Sequence, residues 1–485
     1  QPGVVGGGTN DLVSVAGDLD PNGTVIQLRF PAPPYSNGTY RLFDYTGALL
    51  SGFAPTIVAP AGFTATLDTS VVQQVNVLVT APTSATGFVK ANNLDALNLT
   101  NSWVNFVVPG TGDVAVFDLT YDQAGAVGVG AAALTWKGIR LEQPVSTVTI
   151  AGGSALNFGN STNSSLELGD AGRLVFQPAS AGNWYGRWTG GATSELTLGG
   201  SALHHLQFRE ISMAGTLRLR GATVSNAFNY GGVNPTFVQL GSAALAPVTQ
   251  TGAFHLDFGT NSDERTLLLD NSWTNQTLEL ASLSGDGGIR MDSGSAGVRL
   301  VRVNQSNDTT FTGSLLAHVS GAAASRELHF MKDGTGTLTH VGLLGRQTLS
   351  AHATVLPRLS LTVQGGTLRI GDGLTEPQLN TVHATSLWTI QAGARLILHH
   401  AALVSLPQAL AGDGQLVKRG AGDLRLSGAN AFSGTLQVAE GAVALYTTTA
   451  GRPAIELNGG RLALTEFFNA PSAPAVFASL SGTNA

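Results

Sequence analysis

The chain has 485 residues, 62 of them glycine, and only 12% of its residues are charged, against about 25% in an average globular protein. A hydrophobic fraction of 43% with a formal net charge of −6 excludes a disordered chain, and the absence of cysteine excludes disulfides and thiolate metal sites. The slightly acidic balance, 25 Lys and Arg against 31 Asp and Glu, lacks the basic footprint of a nucleic-acid-binding protein, and no apolar run reaches the roughly 18 residues of a transmembrane helix.

The chain is predicted to divide within the small and polar run APTSATGFVKANN, residues 81–93. Clusters of Pro, Gly, Ser, Thr and Asn between patterned segments are typical of loops. We therefore place a linker at 81–100. A small β domain at 1–80 is expected before it, and a long rod at 101–485 after it.

Short strands of period two fill the rod. Gly366–Ile370 (GTLRI) and Gly460–Leu464 (GRLAL) are examples, and Gly, Asn, Ser or Asp bound each strand. Some matching leucines recur at intervals in the low twenties, while helical periodicity is almost absent. The pattern predicts an all-β fold, a right-handed parallel β-helix of stacked coils. A β-sandwich has similar strands, but this length would require several sandwiches, and no linkers separate them.

The densest aromatic group of the rod lies in the run AGNWYGRWTG, residues 181–190. Trp, Tyr and Arg dominate the energetics of many binding interfaces, so a partner or glycan contact is one interpretation. The other is a long loop that folds back and covers the stack with aromatic rings. Both interpretations stay open for the four residues Trp184, Tyr185, Arg187 and Trp188.

No residue pattern indicates a catalytic, metal or cofactor site. Acidic residues such as Asp113 and Asp118 are read as turn residues, since Asp readily bonds its own backbone. His204-His205 and His399-His400 lie in strand-like runs, where neighbouring side chains point to opposite sides and cannot easily chelate one metal. No Gly-x-Ser-x-Gly elbow precedes a helix. We therefore predict that the protein is not an enzyme.

A strand-and-turn phrase repeats most clearly within residues 412–445. In GAGDLRLSGANAFSGTLQVAEGAVAL, which begins at Gly420, leucines and valines alternate with polar residues, and glycines punctuate each strand. The apolar side chains are expected to face the interior of the coil and the glycines to turn its corners. The residues predicted to hold this structure are Gly422, Leu424, Leu426, Asn430, Phe432 and Gly434.

This phrase resembles the passenger-associated repeat of bacterial autotransporters, which combines a lysine-and-glycine run with an Asn-x-Tyr/Phe-Ser/Thr-Gly turn and a Gly-Thr-Leu strand. Lys418 and Arg419 stand at its basic position, and Asn430–Gly434 at its turn. Thr309–Leu315, which follows Gly285–Gly287, resembles a second copy with Thr309 in place of the turn's Asn. The resemblance implies an exported bacterial protein, extracellular or at the cell surface.

The order of the parts suggests self-association. The stretch from Gly17 to Val79 resembles the segment that closes such repeat arrays, and Pro109–Asp118 resembles the segment that opens them. The segment that resembles the end of a repeat array thus precedes the segment that resembles its beginning. Because open solenoid ends expose unpaired backbone groups, we expect the chain to assemble into a homopolymer, as a structural subunit of a filament or surface layer.

Two alternatives remain. The chain could be the passenger of a monomeric autotransporter adhesin, which would bind a glycan or another ligand on a host or cell surface. It could also be a β-helix that binds or cleaves polysaccharides, in which case the aromatic group near Trp184 would mark the groove. Continuous fibres under the electron microscope would favour the structural polymer.

Overall fold

The computed structural model describes residues 12–20, 24–28, 38–50, 55–59, 64–80, 88–159, 163–177, 179–180, 182–199, 204–220, 237–240, 248–259, 266–269, 273–291, 296–319, 326–348, 358–374, 378–380, 386–428, 430–445, 451–463 and 478–482. Within these ranges the regular structure is β-strand apart from 3-10 helix at Thr100–Ser102 and at Trp273. No helix there has the length and apolar character needed to cross a membrane. The chain divides into two compact units, Gln1–Ser180 and Ala181–Ala485.

The first unit is built from short strands. In chain order they are β1 (Val13–Val15), β2 (Val25–Gln27), β3 (Gly38–Tyr45), β4 (Thr56–Val58), β5 (Thr64–Asp68), β6 (Gln74–Thr80), β7 (Phe88–Val89), β8 (Val114–Asp118), β9 (Ala126–Val127), β10 (Leu134–Trp136), β11 (Gly138–Glu142), β12 (Val148–Ala151), β13 (Leu156–Phe158), β14 (Ser165–Glu167) and β15 (Arg173–Gln177).

The segment predicted as a small β domain combines two kinds of pairing. β6 pairs antiparallel with β3 and β5, while β1 pairs parallel with β3, and β2 with β4. Val75, Val77 and Val79 alternate along β6 and are buried in two small apolar clusters. The antiparallel hairpin β5–β6 is therefore stabilised by its own core.

All strand pairs that the first unit forms from β7 onward are parallel. β7, β8, β11 and β14 follow one another in one sheet, and β9, β12 and β15 in a second. Gly138 pairs with Val114 on one side and with Ser165 on the other, so these three residues mark the same point of successive coils. Phe88–Val89, inside the predicted linker 81–100, is a strand of this stack.

The second unit has the same design. Its strands are β16 (Gly182–Gly190), β17 (Glu195–Leu198), β18 (His204–Met213), β19 (Thr216–Leu219), β20 (Phe237–Leu240), β21 (Thr249–Gln250), β22 (Phe254–Asp257), β23 (Thr266–Leu269), β24 (Gln276–Ser284), β25 (Gly288–Met291), β26 (Gly297–Asn304), β27 (Thr309–Phe311), β28 (Ser314–Val319), β29 (Arg326–Asp333), β30 (Thr337–His340), β31 (Leu343–Thr348), β32 (Arg358–Val363), β33 (Thr367–Ile370), β34 (Gln378–Asn380), β35 (Leu387–Ile390), β36 (Arg395–His399), β37 (Val404–Leu406), β38 (Ala409–Gly412), β39 (Gln415–Arg419), β40 (Leu424–Leu426), β41 (Ala431–Phe432), β42 (Thr435–Val438), β43 (Ala442–Leu445), β44 (Ala454–Leu457), β45 (Arg461–Ala463) and β46 (Ser479–Gly482).

These strands form parallel sheets, each with one strand per coil. Sheet 1 runs β16-β18-β20-β23-β25-β28-β31-β34, with β21 also paired to β18. Sheet 2 runs β17-β19-β22-β24-β26-β29-β32-β35-β38-β41, sheet 3 runs β27-β30-β33-β36-β39-β42-β44-β46, and sheet 4 runs β37-β40-β43-β45. The predicted all-β, parallel β-helical fold is confirmed, while its right-handedness stays a prediction.

Coil length varies along the second unit. Arg326 pairs with Gly297, and Gln415 pairs with Arg395, but the first of these pairs encloses a clearly longer stretch of chain than the second. Thr435 pairs in turn with Gln415 across an equally short stretch. The coils near the repeat motif are thus shorter than the central ones, so no single repeat length describes the rod.

The core is a continuous stripe because alternate side chains point inward. On sheet 3, Leu368, Leu396, Leu416 and Leu436 pair in register and are all buried. Burial of one such leucine stabilises the fold by about 2 kcal/mol relative to exposure. Each coil therefore rests on apolar residues of the coils on either side.

Candidate functional site: the aromatic strand and the repeat motif

The aromatic group of residues 184–188 lies on a regular strand, β16, and not on a loop. Trp184 and Trp188 are 1% and 0% exposed, and the Trp188 ring centroid lies 5.6 Å from that of Phe208 and 5.4 Å from that of Phe254. The two tryptophans are core residues and are unavailable to a glycan or partner, which corrects the sequence interpretation at these two positions. The alternation of an ordinary strand places them there.

The other two members of the group lie on the outer side of β16. Tyr185 is half-buried, and Arg187 is exposed and forms a 3.0 Å ion pair with Glu210 of β18. The pairing register shifts between Gly186 and Arg187, so that Arg187 faces Glu210. An exposed pair of this kind contributes little stability, roughly 0–1 kcal/mol. A partner contact through Tyr185 and Arg187 stays a prediction.

The turn of the repeat motif is built on the coil before it. Phe432 is buried and pairs with Gly412, and the side-chain oxygen of buried Asn430 accepts a hydrogen bond from the Leu410 N–H at 3.2 Å. A Cβ on Gly434 would collide with the backbone oxygen of Gly414, so only glycine fits there. The remaining predicted residues, Gly422, Leu424 and Leu426, are also buried.

The basic position of the motif contains one buried and one exposed cation. Lys418 is 0% exposed, and its Nζ donates to the backbone oxygens of Arg419, Gly420 and Glu440 at 2.7, 2.6 and 3.4 Å. Glu440 belongs to the following coil, so the ammonium joins two coils. Burying a charge without such acceptors would be very costly. Arg419, the next residue, is exposed.

The turn at Thr309–Leu315 reproduces that of the first copy. Phe311 is bridged to Gly285 as Phe432 is paired to Gly412, and the Thr312 N–H donates to the Gly285 oxygen at 2.8 Å. The hydroxyl of Thr309 donates to the backbone oxygen of Leu283 at 2.7 Å. Thr309 therefore bonds the coil before it, as Asn430 does, with the direction of the hydrogen bond reversed.

A second lysine-and-glycine run, which follows the turn at Thr309–Leu315, was missed in the sequence. Lys332–Leu338 (KDGTGTL) has the same Lys-x-Gly-x-Gly-x-Leu spacing as Lys418–Leu424 (KRGAGDL). Lys332 is fully buried, and its Nζ donates to the backbone oxygens of Asp333, Gly334 and Gly365 at 2.6, 3.2 and 3.4 Å. The spacing was readable, but a long stretch of chain separates it from the turn at Thr309–Leu315.

A third buried lysine lies in the first unit. Lys90 donates to the backbone oxygens of Ala91 and Asn93 and to the Asn93 side-chain oxygen, at 3.0, 2.8 and 2.7 Å. Burial lowers the pKa of Lys90 to about 8, with Asp95 opposing the shift. Burial likewise lowers the pKa of Lys332 to about 8, against Asp333 and Asp308. Each side chain needs its carbonyl acceptors to remain charged inside the fold.

The histidine pair at 399–400 is split across its strand, as the alternation predicts. His400 is buried and its Nδ1 lies 2.6 Å from the backbone oxygen of Ala402, whereas His399 lies on the outer face. Side chains of His204 and His205 are outside the described residues. Among the described residues no group of three or more His, Asp or Glu could hold a metal ion.

Comparison with known proteins gave two matches. A family model described as passenger-associated-transport-repeat matches residues 416–445. An adhesin, the BmaC autotransporter of Brucella suis biovar 1, is 40% identical over 78 residues, which are 16% of this chain and 2% of that relative. No solved structure matches. The predicted resemblance is confirmed, and both matches indicate an exported protein of the cell surface.

Proposed function

We propose that this chain, an exported protein that carries an autotransporter passenger repeat, is the rod of an adhesin passenger and acts without catalysis. The match to a relative named an adhesin carries the proposal. It agrees with the structure, in which the matched repeat, residues 416–445, consists of regular coils of a parallel β-helix. Because that relative is matched over only 2% of its length, its ligand is not transferred.

The β-helix suits display of a binding surface. Inward side chains such as Leu416 and Leu436 hold adjacent coils together, while outward side chains on the same strands are free to vary. Function can therefore reside in outward residues, since their replacement leaves the core intact. A scaffold of this kind requires no reaction chemistry.

The test is a cell-binding assay with the purified protein. Fluorescent beads coated with the folded chain are expected to bind cultured epithelial cells in a saturable manner, and soluble chain should compete. Beads coated with heat-denatured chain are the control. If folded protein, verified by its β-type circular dichroism, shows no saturable binding to cells or to immobilised extracellular-matrix proteins, the adhesin proposal fails.

Self-association into a filament is the second candidate. It is supported by the order of the sequence segments, in which a stretch resembling the closing segment of a repeat array (Gly17–Val79) precedes one resembling the opening segment (Pro109–Asp118). Negative-stain electron microscopy at several protein concentrations tests it: regular fibres are expected from a polymer, and isolated rods at every concentration would contradict one.

A further inference from the structure

A group of basic side chains, three arginines and one histidine, lies on the outer face of sheet 3. Arg369 is on β33, Arg395 and His399 are on β36, and Arg419 is on β39. Their strand neighbours, such as Leu396 and Leu398, are buried, so these four side chains point outward. We call Arg369, Arg395, His399 and Arg419 the cationic strip.

The members of the strip are close together. His399 pairs directly with Arg419, and the Arg369 guanidinium lies 2.5 Å from Nδ1 of His399. Arg395 pairs with Thr367, two positions before Arg369 on the same face. Since adjacent strands are about 4.8 Å apart, three successive coils present cations at short and regular intervals.

Arginines on sheet 2 behave differently. Arg218 lies 2.9 Å from Glu195 and 3.0 Å from Asp257, and Arg220 lies 2.9 Å from Asp257. Arg302 is likewise within ion-pair distance of Glu279 and Asp333. These guanidinium groups are neutralised within the fold.

The arginines of the strip have no such partners. Among the described residues, Arg369, Arg395 and Arg419 form no ion pair. The two carboxylates whose charges act on His399, Asp372 and Glu440, accept backbone N–H groups: Asp372 from Leu374 at 2.8 Å, and Glu440 from Gly420 at 2.7 Å. Arg369 and Arg395 donate instead to uncharged groups, the backbone oxygen of Asp372 at 3.1 Å and the side-chain oxygen of Gln415 at 2.6 Å, so their charges are not neutralised by direct ion pairs.

The accessible atoms of the strip are mainly its charges. Ile397 and Val417 lie between the cations on the same face but are 9% and 1% exposed, whereas Arg395 and Arg419 are exposed. A guanidinium presents a planar fork of N–H donors that matches carboxylate or sulfate oxygens. The surface therefore suits an anionic ligand better than an apolar one.

We propose that the cationic strip binds a linear acidic polysaccharide through its carboxylate or sulfate groups. A polymer with repeated charges can contact successive coils at once, which multiplies weak individual contacts. This inference rests on the proposed adhesin function and names the class of its ligand. Carboxylate and sulfate share the same recognition chemistry, so the probes must separate them.

His399 makes the binding sensitive to pH. Burial, followed by the charges of Arg369 and Arg419, lowers its pKa, while Glu440 and Asp372 oppose the shift. The imidazole is therefore neutral at neutral pH, with Nδ1 free to accept from Arg369. Acidification below that lowered pKa adds a fourth charge to the strip, so affinity for a polyanion is expected to rise.

The experiment measures binding of the whole chain to immobilised heparin, polygalacturonate and neutral dextran. The triple variant Arg369→Gln, Arg395→Gln, Arg419→Gln is expected to bind the polyanions roughly tenfold more weakly, because each exposed charge contact contributes a fraction of a kcal/mol. The matched control, Arg218→Gln, Arg220→Gln, Arg302→Gln, removes the same charge from paired sites and should bind as the unmodified chain does.

Each outcome decides the proposal. Weaker binding of the strip variant alone supports it, and the preferred probe identifies sulfate or carboxylate as the ligand group. Equal loss in both variants would show a general charge effect and overturn it, as would an unmodified chain that binds neither polyanion. Cell binding that persists in the strip variant would overturn the assignment of the strip as the ligand-binding surface and leave the adhesin proposal intact.

Discussion

The coils around Lys418 and those around Lys332 build the same interior contact from different lengths of chain. Lys418 donates to a backbone oxygen of the next coil at Glu440, and Lys332 donates to one at Gly365, which lies considerably further along the chain from its lysine. In each case the acceptor lies two positions beyond the lysine's pairing partner. The lysine contact therefore depends only on the residues next to the paired strands, and the rest of the coil can differ in length.

The two lysine-and-glycine runs, which begin at Lys418 and Lys332, differ at the eighth position after the lysine. Leu426 is a buried apolar residue in the first run, whereas His340 occupies the position in the second and is also buried. The Gly342 N–H donates to Nδ1 of His340 at 3.0 Å, and Nε2 has no hydrogen-bond partner among the described residues. The histidine that stands at the position of this leucine should therefore lower the stability of the fold by an amount that depends on pH.

The largest effect is expected at the stacked glycines. Gly434→Val and Gly313→Val should each destabilise the fold by at least about 3 kcal/mol, because any Cβ there collides with the backbone oxygen of Gly414 or Gly287. Urea unfolding followed by circular dichroism measures the loss. Gly112→Ala is the control, since a Cβ at Gly112 has no atom within 4 Å and the residue has no positive φ. Equal stability of all three variants would refute the stacking argument.

The next largest effect is expected in the pH dependence of stability that His340 causes. Burial lowers the pKa of His340 to about 4, below its value near 6.5 in the unfolded chain. Its contribution to stability is therefore complete above pH 6.5 and is lost as pH falls toward 4, a loss of roughly 3 kcal/mol. His340→Leu, which copies Leu426, should reduce the acid destabilisation by that amount.

The measurement for His340 is the free energy of unfolding at several pH values between 7 and 4. His255, His329 and His399 also have lowered pKa values because of burial, and they titrate in both proteins, so only the difference between the proteins is assigned to His340. Parallel pH profiles for the two proteins would contradict the assignment.

The buried lysines should have an intermediate effect. Lys418→Met and Lys332→Met keep the apolar stem but leave three backbone oxygens without their donor, and we expect each to cost about 1–3 kcal/mol. Hydrogen–deuterium exchange should show faster exchange in the coils that each lysine joins. Arg419→Met, on the outer face, should change stability by less than about 0.5 kcal/mol. If Lys418→Met left the free energy of unfolding unchanged, the proposed stabilisation by the ammonium would be wrong, and water would have to satisfy the three oxygens.

The smallest effect is expected from exchanging the turn residues of the two copies. Asn430→Thr and Thr309→Asn each replace one hydrogen bond to the coil before, made to Leu410 or Leu283, by another of similar strength. Changes within about 1 kcal/mol are expected by thermal unfolding. A much larger loss at one site would show that the direction of that bond matters.

Much of the repeat motif could be predicted because its information is local. The alternation of apolar and polar residues predicted that Leu424 and Leu426 are buried, and the Asn-x-Phe-Ser-Gly run predicted the position of the turn. The lysine-and-glycine run at Lys332 was missed because it follows the turn at Thr309–Leu315, whereas the run at Lys418 precedes its turn. For Trp184 and Trp188 the sequence leaves a ligand contact and a covering loop both open, because aromatic density does not show which face of a strand the rings occupy; the structure places both in the core on a strand.

The sequence by itself determined the parallel β-helix, since period-two strands separated by glycine turns need no distant information. It also determined the repeat and the export that the repeat implies. Only the tertiary structure decided that Lys418 points inward and Arg419 outward, that the sheet 2 arginines are paired, and that those of the cationic strip are not. These contacts depend on register between coils, which loop lengths set and which no single strand encodes.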